Sequence, residues 1–344
     1  MIDHPAPTDP APDDASRHIY GPDWAITATA SKIPAMLGLS THDSPKSMWL
    51  KMRHPDRFPR DDSNNRATRR GRKLEAGMLD IWFEDNPRYR RLADGEVTFT
   101  RDDFPFRAAA TPDCYAEDTE TGEIIGVENK TVGPFAHSLA EWGDPGTDVV
   151  PAKYLVQTVW QNVCGNFART AVIRNGPLID DQFTYWVGRD AEVEAAVYER
   201  VAAFMQSLVD DIEPVNDTRA ETYEAMRLAY WEILADGDPD ADWEIHPELA
   251  LEYAEALLDF ERAEGRLTLA KCDLIKVMGR ARRAVVPGPE RFSAKTGKRL
   301  KTYPVVIATR KQTAGGAAIV KPRTAHDLAY LRELVAEAGR EGAA

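Results

Sequence analysis

Three residues of the types needed for phosphodiester hydrolysis lie close together in the sequence: Asp113, Glu128 and Lys130. Hydrolysis at neutral pH requires an activated water and neutralisation of charge on the scissile phosphate. One or two hard cations held by carboxylates supply both. A lysine beside such a site can orient the attacking water and offset developing charge. These residue types therefore point to a nuclease that uses Mg²⁺ or Mn²⁺.

The predicted strands can bring these three side chains together. Asp113 lies near the end of a strand predicted over Phe106–Tyr115, and Glu128 and Lys130 lie two residues apart in a strand predicted over Glu123–Thr131. Because side chains alternate between the faces of a strand, the glutamate and the lysine share one face. A hairpin connection would place Asp113 alongside Glu128. The alternative interpretation is an ordinary glutamate–lysine pair on a half-exposed strand.

Two further polar residues lie on predicted helices. Glu75 falls within a helix predicted over Arg66–Phe83, and Gln157 falls within a helix predicted over Pro151–Cys164. Glu75 is a candidate fourth contributor to the site, and Gln157 could hold a substrate backbone. A solvent-facing helical glutamate is the simpler interpretation of Glu75 when that residue is considered alone.

The order of the predicted elements indicates an α/β (α+β) core with a mixed central sheet flanked by helices. Five more segments complete that pattern: a short helix over Ala25–Leu39, strands over Glu96–Thr100, Thr170–Arg174 and Gln182–Gly188, and a helix over Ala191–Val209.

The last third of the chain has a different character. One long helical pattern covers Pro247–Met278 and ends at Gly279, and a basic, turn-rich segment with two strand-like runs follows it. This segment predicts a hairpin, which is either a contact surface for DNA or another subunit, or a solvated hairpin. Its basic residues are Arg280, Arg282, Arg283, Lys295, Lys298, Arg299 and Lys301. We expect a disordered leader over 1–22, a nuclease core over 23–212, an acidic helical linker over 213–246 and a C-terminal helix and hairpin extension over 247–344.

The composition restricts the class of protein. The net charge is −13, yet residues 45–74 contain ten Lys/Arg against three Asp/Glu, so a local basic surface for phosphate contact is available. The three cysteines share no metal-binding spacing, which argues against a disulfide framework, a zinc site or an iron–sulfur cluster. No apolar run is long enough to span a membrane, and we expect a cytoplasmic protein.

Five blocks of sequence, in order, resemble the YqaJ-like viral recombinase family, the relatives of phage lambda exonuclease within the PD-(D/E)xK nuclease superfamily. They are ITATASKIPAMLGLS (26–40), RGRKLE (70–75), TPD (111–113), GVENK (126–130) and YLVQTVW (154–160). Each block alone is unspecific, but five in order form a strong signal.

The resemblance implies a metal-dependent 5′→3′ exonuclease on double-stranded DNA ends, working in phage-type recombination with a single-strand annealing protein. It implies that Asp113 and Glu128 bind Mg²⁺ with the backbone carbonyl of Asn129, and that Lys130 positions the water. Glu75 would support the metal site, and Gln157 would hold the site or the DNA strand. It also implies a homo-oligomeric ring of three and a phage or prophage protein in a bacterial cytoplasm.

The same resemblance assigns a 5′-phosphate pocket to the Thr-Ala-Ser block. Thr29 and Ser31 would bind the phosphate at a helix start, where backbone N–H groups favour an anion. The arginine expected just before this block is absent, since the sequence reads GPDWAITATAS. Lys32, or a residue of the basic stretch such as Arg70 or Arg72, would take its place.

Two other functions fit the same residues. An endonuclease or Cas4-like nuclease would keep the fold, although the absence of a cysteine cluster argues against the Cas4 type. A non-catalytic DNA-binding recombination protein would keep only the scaffold, and the presence of all four expected catalytic residues argues against it.

Overall fold

A computed structural model describes residues 22–58, 66–93, 96–132, 141–176, 181–230, 244–288, 298–299, 304–314, 316–320, 332 and 335–336. The predicted leader over 1–22 therefore lies almost wholly outside the described residues. The chain divides into two compact units, Met1–Pro239 and Asp240–Ala344. Within the described ranges, none of the helices has the length and apolar character needed to cross a membrane.

The first unit contains helices and strands in mixed order. Its helices are α1 (Pro22–Ala25), α2 (Ile33–Met36), α3 (Pro45–Arg53), α4 (Arg66–Asp85), α5 (Ala152–Gly165), α6 (Ala191–Val209) and α7 (Ala220–Ala229), with a 3₁₀ turn at Pro55–Arg57. Its strands are β1 (Thr27–Thr29), β2 (Tyr89–Arg91), β3 (Phe99–Arg101), β4 (Arg107–Ala110), β5 (Cys114–Asp118), β6 (Ile124–Thr131), β7 (Arg169–Asn175) and β8 (Gln182–Gly188).

The central sheet has five strands in the order β2-β5-β6-β7-β8. Strands β6 and β7 are parallel because helix α5 forms the crossover between them, and the remaining pairs are antiparallel. A second sheet of order β1-β4-β3 combines a parallel and an antiparallel pair. The predicted α/β fold with a mixed central sheet is confirmed.

Alternation along the strands of the central sheet divides the core into two clusters. Ile125 and Val127 pack with Leu79 and Trp82 of α4 on one face. The other face packs against α5, where Trp160 is buried. Every second residue of β6 therefore faces α5, and Glu128 belongs to that set.

Local sequence signals explain where the best-predicted helices begin. Helix α6 has the predicted bounds, since the Asp190 side chain accepts the backbone N–H groups of Glu192 and Val193. Helix α3 starts with a capping box between Ser44 and Ser47. The Ser44 hydroxyl also lies 2.6 Å from that of Thr222 in α7, so residues of the predicted acidic linker pack against α3.

Three predicted elements differ from the structure. The short helix expected over Ala25–Leu39 is instead strand β1 followed by α2, which spans only four residues. The strand expected over Phe106–Tyr115 is two strands in different sheets, because Pro112 cannot donate to a ladder. Helix α5 ends at Asn166 in the left-handed conformation, φ 49°, rather than at a cap formed by Gly165.

The second unit begins with a long helix, α8 (Pro247–Met278), whose bounds match the prediction. Three antiparallel strands follow: β9 (Arg283–Val286), β10 (Val305–Thr313) and β11 (Gly316–Val320). The predicted hairpin of β10 and β11 is present, and β9 adds a third strand that pairs with β10. A long helix with a small sheet is therefore the architecture of this unit.

Gly126 provides a test of packing on the α5 side of the sheet. A Cβ atom there would lie 2.4 Å from Thr170 Oγ1 and 3.0 Å from Phe167 Cδ2. The Thr170 hydroxyl is held by a buried hydrogen bond to Asn162. We expect Gly126→Ala to lower the free energy of unfolding by about 1–3 kcal/mol in urea titrations, because the site is overpacked.

Gly77 in α4 is the matched control, since nothing lies within 4 Å of a Cβ added there. Gly77→Ala should raise the free energy of unfolding by up to about 1 kcal/mol, the difference in helix propensity. Equal effects of the two substitutions would contradict the packing described for Gly126.

Candidate active site

Glu128 and Lys130 lie on the same face of β6, as the alternation predicts. Glu128 is 3% exposed, and Lys130 Nζ donates to its Oε1 at 2.6 Å. A buried carboxylate is unfavourable unless it is paired and hydrogen-bonded. The strand therefore presents a charged pair in a part of the sheet that is otherwise apolar.

Helix α5 supplies the remaining hydrogen bonds to Glu128. Gln157 Nε2 donates to Glu128 Oε1 at 2.7 Å, and the Gln157 carbonyl oxygen accepts from Lys130 Nζ at 3.1 Å. Gln161 Nε2 donates to Glu128 Oε2 at 2.6 Å. Each oxygen of the carboxylate thus has at least one nitrogen donor.

Sequence reasoning identified Gln157 and missed Gln161, which is fully buried. The signal was present, because residues four apart on a helix lie on the same face. Two glutamines at that spacing, on the helix that crosses over from β6 to β7, can both reach one acceptor.

Asp113 reaches the cluster through the register of the sheet. It lies immediately before β5 rather than at the end of the preceding strand, and Cys114 pairs with Val127 across β5 and β6. This pairing places Asp113 opposite Glu128. Its Oδ2 accepts the backbone N–H of Asn129 at 2.7 Å.

The electrostatics of Asp113 are dominated by burial. Burial raises the pKa of the Asp113 carboxyl to about 8, and repulsion from Glu128 and then Glu75 adds to the shift. Burial disfavours the Lys130 ammonium, but the carboxylates of Glu128 and Asp113 outweigh it and raise the pKa of Lys130. The lysine is therefore charged beside a cluster of mutually repelling acids.

The acids fit a divalent cation. Repulsion among neighbouring carboxylates is the condition that a bound cation relieves. Each carboxylate has about four lone-pair positions, so the donors to Glu128 and Asp113 leave room for coordination. Among the described residues, no three Asp, Glu, His or Cys side chains form a metal-binding group. A cation at this site would need the Asn129 carbonyl and water, which suits Mg²⁺.

The Asn129 side chain belongs to a hydrogen-bonded series of side-chain amides. Asn175 Nδ2 donates to Asn129 Oδ1, and Gln182 Nε2 donates to Asn175 Oδ1 at 2.8 Å. Gln182 Nε2 also donates to the carbonyl of Met78 in α4, at 3.2 Å. The position after Glu128 is therefore fixed by contacts across β7 and β8, which explains why a polar residue is accommodated there.

The Thr-Ala-Ser block lies at the end of β1, where Thr29 pairs with Ala109 of β4. The hydroxyls of Thr29 and Ser31 are 3.2 Å apart, and Ser31 is exposed. The helix that follows begins at Ile33, and Lys32 is its N-cap without a side-chain cap bond. The predicted helix start at Thr29 or Ser31 is therefore wrong, because β1 occupies Thr27–Thr29.

Lys32 points into the core rather than to an exposed phosphate pocket. Its side chain is 2% exposed, and Nζ donates to the carbonyl oxygens of Trp24 and of Thr27, the latter at 2.6 Å. Nζ also lies 3.7 Å from the centroid of the Trp24 ring. Burial lowers the pKa of Lys32 to about 6. These contacts correct the expectation that Lys32 replaces the absent arginine. The side chains of Arg70 and Arg72 lie outside the described residues.

Comparison with protein families finds a match within the first unit. Residues 23–168 match the family model for the YqaJ-like viral recombinase domain. The resemblance inferred from the sequence is thereby confirmed. This YqaJ-like domain contains Asp113, Glu128, Lys130 and both glutamines of α5. Comparison with curated proteins found no match.

Solved structures show a distant likeness. An alkaline exonuclease (LHK-Exo) from Laribacter hongkongensis is 18% identical, with a TM-score of 0.43, covering 54% of this chain and 89% of the other. A phage related exonuclease from Haemophilus somnus is 15% identical, with a TM-score of 0.39, covering 55% of this chain and 97% of the other. At scores this low the likeness carries no argument about the YqaJ-like domain.

The two glutamines of α5 differ in a way that unfolding experiments can detect. Gln161→Leu removes the donor to Glu128 Oε2 and leaves a buried charged oxygen unsatisfied, so we expect a loss of about 1–3 kcal/mol in the free energy of unfolding. Gln157→Leu is the control, since Lys130 still donates to Oε1. A loss for Gln157→Leu as large as that for Gln161→Leu would contradict this assignment.

Asp113 should make the metal-free protein less stable as pH rises. Its carboxyl titrates near 3.8 when unfolded and near 8 when folded, so the folded protein binds more protons between these values. The contribution of protonated Asp113 to the stability of the fold is complete below about pH 3.8 and is lost as pH rises through about 8. Asp113→Asn mimics the protonated form, which is stable at every pH in this range. In urea titrations with EDTA present, the unfolding midpoint of Asp113→Asn should therefore rise relative to that of wild type as pH increases from 5 to 8.5.

Asp103→Asn is the control for this titration. Its hydrogen bond from Arg101 lowers the pKa of Asp103 below 3.8, so that carboxylate stays ionised across the same range. The difference between Asp103→Asn and wild type should not change from pH 5 to pH 8.5. A flat difference for Asp113→Asn as well would show that Asp113 is ionised throughout.

Proposed function

We propose that this chain is a metal-dependent exodeoxyribonuclease that hydrolyses linear double-stranded DNA from 5′ to 3′ in phage-type recombination. The observation that supports this proposal most is the convergence of Asp113, Glu128 and Lys130 inside the YqaJ-like domain. Asn129 links these residues, since its backbone N–H holds Asp113 and its carbonyl follows Glu128 directly.

In this proposal Asp113, Glu128 and the Asn129 carbonyl hold Mg²⁺ or Mn²⁺, with Glu75 as support. A bound cation would activate water and neutralise charge on the scissile phosphate. Lys130 brings a positive charge to the same place, where its ammonium can orient a water and stabilise the charge that develops. Gln157 contacts both Glu128 and Lys130, so it holds the two side chains in one geometry.

The wider assignments follow from the same resemblance. We propose DNA ends as the substrate, a single-strand annealing protein as the partner, a homo-oligomeric ring of three and a bacterial cytoplasm as the location. Thr29 and Ser31 are proposed to contact the 5′ phosphate without Lys32. Residues 23–212 are proposed as the nuclease core, 213–246 as an acidic linker whose helix α7 packs on α3, and 247–344 as an extension.

The test is hydrolysis of a linear duplex labelled at the 5′ end of either strand. We expect release of labelled nucleotide with Mg²⁺ or Mn²⁺ and none in EDTA. Lys130→Ala should lower the rate by a factor of about 10²–10³ or more, because a positioned charge at the reacting group is lost. Release of the 5′-labelled nucleotide before nucleotides from the interior of the same strand would support 5′→3′ polarity.

Lys153→Ala is a matched control, because Lys153 Nζ and Lys130 Nζ lie 4.9 Å and 5.0 Å from the Tyr154 ring on the same helix–sheet boundary. This variant should digest the duplex at the wild-type rate. Undiminished digestion by Lys130→Ala would refute the site. Cutting of a closed circular duplex would indicate an endonuclease instead.

A further inference from the structure

Residues 279–324 are strongly basic in an otherwise acidic chain. They contain twelve lysines and arginines and a single acidic residue, Glu290, whereas the whole chain carries a net charge of −13. Like charges concentrated in one segment repel one another and attract external anions. The segment lies outside residues 23–168, which match the YqaJ-like family model.

The described part of this segment places several cations on one small sheet. Arg283 pairs with Thr309 across β9 and β10, and the backbone N–H of Arg310 donates to the carbonyl of Arg282 at 2.8 Å. The side chains of Arg280, Arg282 and Arg283 are exposed, and that of Lys311 is half-buried. Arg280, Arg282 and Lys311 line one surface cavity, whereas Arg283 follows Arg282 in the chain and alternates to the other face of the sheet. We call the side chains of Arg280, Arg282 and Lys311 the C-terminal basic surface.

Arg310 connects the sheet to the end of helix α8 and is not counted in the C-terminal basic surface. Its guanidinium donates to the carbonyl of Gly279, at the end of α8, while its backbone belongs to β10. The end of the long helix and the sheet are therefore tied at one point. Arg280, Arg282, Arg310, Lys311 and Gln312 line one surface cavity there.

Charge neutralisation differs between this surface and the first unit. In the first unit Arg88 lies 2.7 Å from Asp118, and Arg174 lies 2.9 Å from Asp181. In the part of the chain that the structure describes, no ion pair joins the C-terminal basic surface to a carboxylate. The dipole of α8 favours a cation near the end of the helix only weakly, so it does not account for several arginines and lysines there.

We propose that the C-terminal basic surface binds the phosphate backbone of DNA as a second DNA-binding site, apart from the catalytic cluster. Exposed arginines suit repeated phosphates because the guanidinium offers several donors in a fixed plane. Contacts of this kind hold and orient the nucleic acid without reading its sequence. The choice of DNA over other polyanions rests on the proposed function.

The test measures the affinity of the full chain for a DNA duplex in the presence of EDTA. Binding is measured directly, so the result does not depend on hydrolysis. The variant combines Arg280→Gln, Arg282→Gln and Lys311→Gln. We expect its affinity at moderate salt to fall at least about tenfold, and the slope of log K against log salt to shrink by about 2.7, since each lost phosphate contact contributes about 0.9.

A control variant combines Arg262→Gln, Arg266→Gln and Lys271→Gln on α8, which changes the net charge of the same unit equally. It should keep the wild-type affinity and slope within error. Equal weakening by both variants would mean that only total charge matters, and this result would overturn the proposal. Unchanged duplex binding by the first variant would overturn it as well.

A vesicle of anionic and zwitterionic phospholipid separates DNA from a membrane surface. If the Arg280, Arg282 and Lys311 variant loses vesicle binding while it retains duplex binding, the surface contacts lipid and the proposal is wrong. Because binding is measured without metal, nuclease activity can fail while this proposal holds, and the reverse is also true.

Discussion

The Glu128 carboxylate is buried in the middle of the first unit, and its need for hydrogen-bond donors constrains the elements around it. Removing such a charge from water costs several kcal/mol unless good partners replace the solvent. Lys130 from the same strand and Gln157 and Gln161 from α5 are those partners. The helix must therefore cross the sheet with one particular face towards β6. The parallel pairing of β6 with β7, which α5 connects, follows from the same crossover.

The second constraint is the register of β5 against β6. Asp113 enters the cluster only because Cys114 pairs with Val127, and a slip of one residue would turn the side chain to the α4 face. The Asn129 amide, which bonds Asp113, fixes this register at the site itself. Two acids and a lysine are thus held by backbone pairing rather than by loops. A site on rigid elements keeps its geometry while charges repel within it.

Much of this arrangement follows from sequence pattern, and the exceptions have identifiable causes. Helices α6 and α8 match their predicted bounds, since Asp190 caps the start of α6 and Gly279 follows the end of α8. The placement of Glu128 and Lys130 required only alternation along a strand. The burial of Lys32 was not predictable, because its partners are carbonyl oxygens of Trp24 and Thr27 that tertiary folding brings together. A lysine in a predicted phosphate block looks the same in sequence whether it is exposed or buried.

The two units treat charge in opposite ways, and this contrast connects structure to function. In the first unit cations and acids neutralise one another locally, as with the Glu128–Lys130 pair. In the second unit the basic segment has almost no acid of its own within residues 279–324. Internal pairing preserves the geometry of the Glu128–Lys130 pair, whereas unneutralised charge favours binding to an external polyanion. An overall charge of −13 therefore says little about whether this chain contacts nucleic acid, since attraction is decided by the local surface.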